Sequence, residues 1–209
     1  MRLEAAKERP DTPFFIAAGF IRPHLPFVAP KKYWDLYDRS QLNLAENSKA
    51  PEGVVEAALR PNGELSQYKG TENADSLSEA QQRELLHGYY AATSYTDAQV
   101  GKLLDTLDRL GLSENTIIVF WGDHGWHLGD HGLWSKHTNF EQATRIPYII
   151  AAPGLSKGAK TKSLAQSIDI YPTLLELNGL PLPGSKPALE GKSLVPVLKE
   201  PSAIVNDSV

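Results

Sequence analysis

The sequence predicts an α/β fold, a mostly parallel sheet flanked by helices, from three observations. Three short apolar runs lie far apart, at Phe14-Phe15-Ile16-Ala17-Ala18-Gly19-Phe20, at Thr116 to Trp121 and at Tyr148-Ile149-Ile150-Ala151-Ala152. A long helical pattern separates the first two. A loop crowded with histidine, aspartate and glycine follows the second, where open α/β sheets place their ligands.

The runs read as strands because continuous apolar stretches bounded by Pro and Gly suit strands covered on both faces. The helix begins at a capping box of Ser78 and Gln81, continues through Val100, Leu103, Leu104, Leu107 and Leu110 at helical spacing, and stops at Gly111. Strand, helix and strand in that order imply a right-handed crossover. A second helix is expected at Ile170 to Leu177, ending near Asn178-Gly179. The polar stretch from about Asp38 to Leu77, with its Gly and Pro, reads as a long surface excursion. From Pro181 onward Pro, Gly and Ser are frequent, so about 181–209 is expected to be irregular and to lead toward a further subdomain.

Composition narrows the function classes. At 209 residues, with 41% hydrophobic and 22% charged residues, the chain can bury one sizeable core, and one domain or a large part of one is the default. A net charge of −4 gives no basic surplus for nucleic acid. Without cysteine there is no disulfide, thiolate metal site or thiol nucleophile in this chain, and cysteine usage is silent on compartment. No apolar run is long enough to span a membrane. The mixed charges of residues 1–10 contain no signal-peptide core.

Chemistry concentrates in Trp121-Gly122-Asp123-His124-Gly125-Trp126-His127-Leu128-Gly129-Asp130-His131-Gly132-Leu133-Trp134-Ser135-Lys136-His137, which holds four of the six histidines. An Asp-His pair at a strand end can offer a carboxylate oxygen and an imidazole nitrogen to one metal, and Gly125 lets the backbone turn away. Taken alone, Asp-His-Gly fits equally a polar loop whose histidines cap backbone groups, and a lone Lys136 fits a solvated surface.

The longer pattern decides between these readings. Gly122-Asp123-His124-Gly125, Gly129-Asp130-His131-Gly132-x-Trp134-x-Lys136 and Asn139-Phe140-Glu141 recur with Pro23-His24-x-Pro26-Phe27, Gly88-Tyr89-Tyr90-Ala91, Ser94-Tyr95-x-Asp97 and Asp169-Ile170-Tyr171-Pro172-Thr173. In this order they resemble the sulfatase family, an alkaline-phosphatase-like fold, and within it the branch containing the iduronate-2-sulfatases and their bacterial relatives. The resemblance covers most of residues 12–200.

It implies metal-dependent hydrolysis of sulfate esters, with sulfated carbohydrate as the expected partner and an exported parent. Asp123 and His124 match metal positions, with calcium the usual ion, although an imidazole ligand also suits zinc. Lys136 matches the lysine that contacts the sulfate ester, and His24 the histidine that can protonate the leaving alcohol. Trp126, His137 and Arg145 are expected substrate contacts, with His127 and His131 as weaker candidates for an acidic-sugar pocket. Tyr95, Asp97 and His87 are expected to serve packing.

The nucleophile of such enzymes is a formylglycine made from Cys or Ser in Cys/Ser-x-Pro-x-Arg. Only Pro187 has a Ser two positions earlier, and Leu189 stands where Arg is required. No Asp-Asp occurs to complete the metal shell. The expectation is therefore an incomplete catalytic domain without its nucleophile segment, inactive by itself. The alternatives are a phosphatase or phosphodiesterase of the same superfamily, and a non-catalytic degenerate relative.

Overall fold

The computed structural model describes residues 2–59, 62–155, 158–184 and 188–208, so Ser185, Lys186 and Pro187 of the near-miss nucleophile motif lie outside the described residues. The chain divides into two compact units, Met1–Ser113 with His124–Arg145, and Glu114–Asp123 with Ile146–Val209.

The first unit contains α1 (Arg2–Lys7), α2 (Lys31–Trp34), the 31-residue α3 (Glu79–Arg109) and α4 (Glu141–Thr144). α3 starts where expected: Gln81 donates its backbone N–H to Ser78 Oγ, and its side chain accepts from Ser78 N at 3.0 Å. It ends with Gly111 at φ +66°, where Leu112 N donates to Leu107 O and Gly111 N to Asp108 O. These bonds satisfy carbonyls that an open helix end would leave unpaired.

The buried face of α3 follows the expected repeat at Leu107, which is 7% exposed, and departs from it elsewhere. Leu86, Gly88, Ala91 and Ala92 are covered, whereas Leu103 and Leu104 of the apolar repeat are 37% and 40% exposed. Small residues win because α2 and the 25–27 segment approach closely. A Cβ at Gly88 would lie 2.9 Å from a Trp34 ring atom and 3.0 Å from Phe27 Cβ. Tyr33 packs on Tyr95 with centroids 5.3 Å apart. His87 is buried, with Nε2 2.7 Å from Trp34 O and Nδ1 accepting from Arg39. Both contacts serve packing, as the sequence suggests.

The core of this unit is Leu25, Leu65, Ala74 and Trp134, surrounded by Phe27, Tyr68, Leu77, Leu85, Trp126 and Leu128. The stretch 38–77 is consequently no mere surface excursion. It runs through short 3-10 turns at Arg39–Gln41, Glu56–Ala58, Leu65–Gln67 and Ala74–Ser76, yet Leu65, Ala74 and Asn62 are at most 2% exposed. Isolated apolar residues between turns carry no period, so sequence patterning passes over them.

The second unit contains β1 (Ile118–Trp121), β2 (Tyr148–Ala151), α5 (Ile170–Leu177) and α6 (Val195–Lys199). β1 and β2 pair antiparallel, in the register Ile118 with Ala151 through Trp121 with Tyr148. The expected first strand at 14–20 joins no ladder among the described residues, and Phe15 is 82% exposed. The strand–helix–strand crossover is therefore not formed by these runs. An apolar run becomes a strand only where another edge takes its N–H and C=O groups, and none does so here. Nor are β1 and β2 covered on both faces, since Trp121 and Ile149 are 44% and 59% exposed.

α5 has the expected bounds and ends at Gly179, φ +63°. Among residues 188–208, which hold the short helix α6, the fully buried Asp169 gathers the chain in. Its carboxylate accepts from Gln166 N and Lys192 N, both at 2.8 Å, and from Asn206 Nδ2 at 2.9 Å. Thr173 Oγ1 accepts from Leu194 N at 2.8 Å, which seats the buried Leu194, Val195 and Val197. Nearby Tyr148, whose hydroxyl is buried, has its pKa pushed up to about 12 by desolvation and by the charge of Asp169.

Candidate functional site

His24 sits in a turn between two prolines, each preceded by a cis peptide bond. The turn closes with His24 N donating to Ile21 O at 2.9 Å, and Arg22 Nη1 caps His24 O at 2.8 Å. Thr96 of α3 donates to Arg22 O at 2.9 Å, tying the turn to the longest helix. The His24 ring is held by Nδ1 against Leu25 O at 2.8 Å.

Lys136 comes from the glycine-rich loop of the same unit. His127 N donates to Ser135 O and Gly129 N to Leu133 O, both at 2.9 Å, folding the loop back on itself. The turn requires Gly129 at φ +103° and Gly132 at φ +73°. Trp134 and Ser135 are buried, so Lys136 emerges from a fixed base. Its Nζ lies 3.0 Å from His24 Nε2, although 112 residues separate them. The Lys136 side chain is only 13% exposed, against 40% for His24. Trp126 lies beneath the ammonium, with its ring centroid 5.6 Å away, an attractive cation–π distance.

Sequence reasoning missed the third charged member, Glu64. Its carboxylate lies 3.2 Å from Lys136 Nζ through either oxygen and 3.2 Å from His24 Nε2. Glu64 stands in a polar Asn62-Gly63-Glu64 turn with neither motif nor periodicity to mark it. Only the burial of Asn62 and Leu65 on either side brings it here.

The metal candidates occupy the two sides of one peptide bond. Asp123 follows β1 and is exposed, and His124 opens the loop. His124 Nδ1 meets Gly125 O at 2.7 Å, an orienting contact common for ligating imidazoles. The donor types suit a divalent cation, but no group of three or more His, Cys, Asp or Glu side chains converges among the described residues. Gly125 is needed for close approach rather than for a turn: a Cβ there would overlap the Gln142 carbonyl oxygen, and Gly125 N donates to Ala143 O at 2.7 Å.

The remaining candidates fall elsewhere. Trp126 stays within the cluster, and its Nε1 is buried without a hydrogen-bond partner among the described residues. The described contacts bring neither His137 nor Arg145 to the Lys136–His24 pair. His137 is exposed, and Arg145, 82% exposed, reaches back to Glu141 at the start of α4 at 3.8 Å. His127 is fully buried, with Nε2 2.8 Å from Thr138 Oγ1 and its ring edge-on to Phe140. Burial, then the charge of His131, pushes its pKa down, so it serves the loop core as a neutral ring. His131, at φ +59°, lies 4.6 Å from Phe140 between centroids. An open cavity of about 490 Å³, lined by Leu25, Phe27, Trp34, Leu65 and Tyr68 among others, includes neither Lys136 nor His24.

Comparison with known proteins gives this cluster its context. The sulfatase family model matches residues 2–180. Iduronate 2-sulfatase of Mus musculus is 33% identical over 214 residues, covering 88% of this chain and 39% of its own length. A sulfatase of Formosa agariphila is 36% identical, covering 95% and 38%. The solved phosphonate monoester hydrolase of Silicibacter pomeroyi has a TM-score of 0.72 at 30% identity, covering 91% of this chain and 38% of its own. The chain thus spans about two fifths of the length of these relatives. With the family match extending over most of its residues, and solved alkaline-phosphatase-like folds superposing on it, the chain belongs to the sulfatase family.

Proposed function

We propose that this chain supplies the leaving-group side of a sulfate ester hydrolase acting on sulfated carbohydrate. The observation that carries the reading is the 3.0 Å approach of Lys136 Nζ to His24 Nε2. Ester cleavage places negative charge on the bridging oxygen, and a poorly solvated ammonium offsets such charge best. An imidazole beside it can hand a proton to the departing alcohol. Trp126 Nε1 adds a donor not spent within the described residues.

Asp123 and His124 would hold a divalent cation, for which the branch resemblance suggests calcium. Such an ion, when bound, polarises a sulfate oxygen. Calcium takes about six to eight ligands, so two residues form only part of a shell. The attacking oxygen must come from a formylglycine, and no Cys or Ser-x-Pro-x-Arg stands among these 209 residues.

The test is an assay of the purified 209-residue chain on 4-nitrocatechol sulfate and on a sulfated uronic-acid disaccharide, with and without calcium. No turnover above background is expected from this chain, and metal-dependent turnover of either compound would contradict the reading.

A second reading, ester hydrolysis at phosphorus, is favoured by the likeness to the phosphonate monoester hydrolase. The same cation pair would serve it. Binding of methyl sulfate and of methyl phenylphosphonate to this chain separates the two: preference for the former supports the sulfatase reading.

A further inference from the structure

The contacts of Glu64 go beyond the requirements of ester cleavage. A site for a sulfate group needs cations, yet a carboxylate sits 3.2 Å from both of them. The backbone that carries it is firmly seated. Its neighbours in sequence, Asn62 and Leu65, are 2% and 1% exposed. Asn62 accepts from Trp134 N and donates to Ala74 O and to Asp75, while Leu65 O accepts from Thr71 Oγ1 at 2.8 Å. The segment that carries Glu64 is thus bolted to the base of the loop that carries Lys136.

We propose that Glu64 is a fixed specificity-determining residue of the anion site, which holds Lys136 and His24 in place and cancels part of their charge, so that monoanionic esters bind while dianionic sulfate is released. The inference rests on the assignment of Lys136 and His24 to the sulfate group. Its physical basis is that Coulomb energy is linear in ligand charge, so a fixed carboxylate penalises a dianion about twice as much as a monoanion. Two bare cations would grip free sulfate hardest, and release of product is a step that often limits turnover. With Glu64 present, the cluster of Lys136, His24 and Glu64 carries at most one net positive charge.

The experiment is an NMR titration of the 209-residue chain and its variants with methyl sulfate and with inorganic sulfate, at constant low ionic strength to limit screening. Glu64→Gln should tighten methyl sulfate about threefold and inorganic sulfate about tenfold, the second factor being the square of the first. Glu64→Ala provides the same comparison if the amide variant folds poorly, and Glu64→Asp should stay within about twofold of the parent because it keeps the charge. Lys136→Met should lose both anions in every background. Equal changes for the two anions, no change, or weaker binding in both neutral variants would overturn the proposal and leave the site assignment standing. Anion binding that ignores Lys136→Met, or no binding by any protein, would overturn the assignment and the proposal together.

Discussion

Trp134 donates its backbone N–H to Asn62 Oδ1 at 2.6 Å, a buried bond across 72 residues. It joins the segment bearing Glu64 to the loop bearing Lys136, and Asn62 Nδ2 adds donations to Asp75 at 2.9 Å and Ala74 O at 3.3 Å. Asn62→Ala should therefore cost about 2–3 kcal/mol, since buried donors and acceptors on both segments lose their partners at once. Urea unfolding followed by tryptophan fluorescence measures it.

Gly125→Ala should be more harmful than its single methyl suggests. The added carbon would overlap the carbonyl of Gln142 within α4, and backbone cannot yield as a side-chain end does. A loss of about 1–3 kcal/mol is expected, with the Gly125 N to Ala143 O bond the first to open. Amide hydrogen exchange at Gly125 would report that opening directly.

His127 predicts a pH dependence whose sign is fixed by burial. Its pKa is lowered from the ordinary 6.5 in the folded chain, so the unfolded chain binds a proton at higher pH than the folded chain does. The stability contributed by the neutral ring is thus full above the unfolded value of 6.5 and is lost as pH falls through the lower folded value. Unfolding midpoints at about pH 7.5 and about pH 5.5 should differ more for the parent than for His127→Gln, which has no proton to gain.

Asp169→Ala should destabilise the second unit by about 3 kcal/mol or more. Two backbone N–H groups and the Asn206 amide would lose a fully buried acceptor together. The change should release the 188–208 segment first, which limited proteolysis would detect as early cleavage there. Far-UV circular dichroism should show little loss from α3, which belongs to the other unit.

The sequence by itself determined the features written in local chemistry. The Ser78–Gln81 box starts α3, Gly111 stops it and Gly179 follows α5, because caps and left-handed glycines act over a few residues. The order of short motifs was enough to show the family, and it marked Lys136 and His24 before any distance was known. Tertiary structure decided whatever depends on a partner distant in sequence. It left the Phe14–Phe20 run outside any ladder, paired β1 with β2 antiparallel, buried Asn62 and Leu65 in a polar stretch, and turned His127 into a core residue. It also brought Glu64 to the Lys136–His24 pair. A lone carboxylate acquires meaning only from the charges set against it, and those lie 40 and 72 residues away along the chain, beyond the reach of any local pattern.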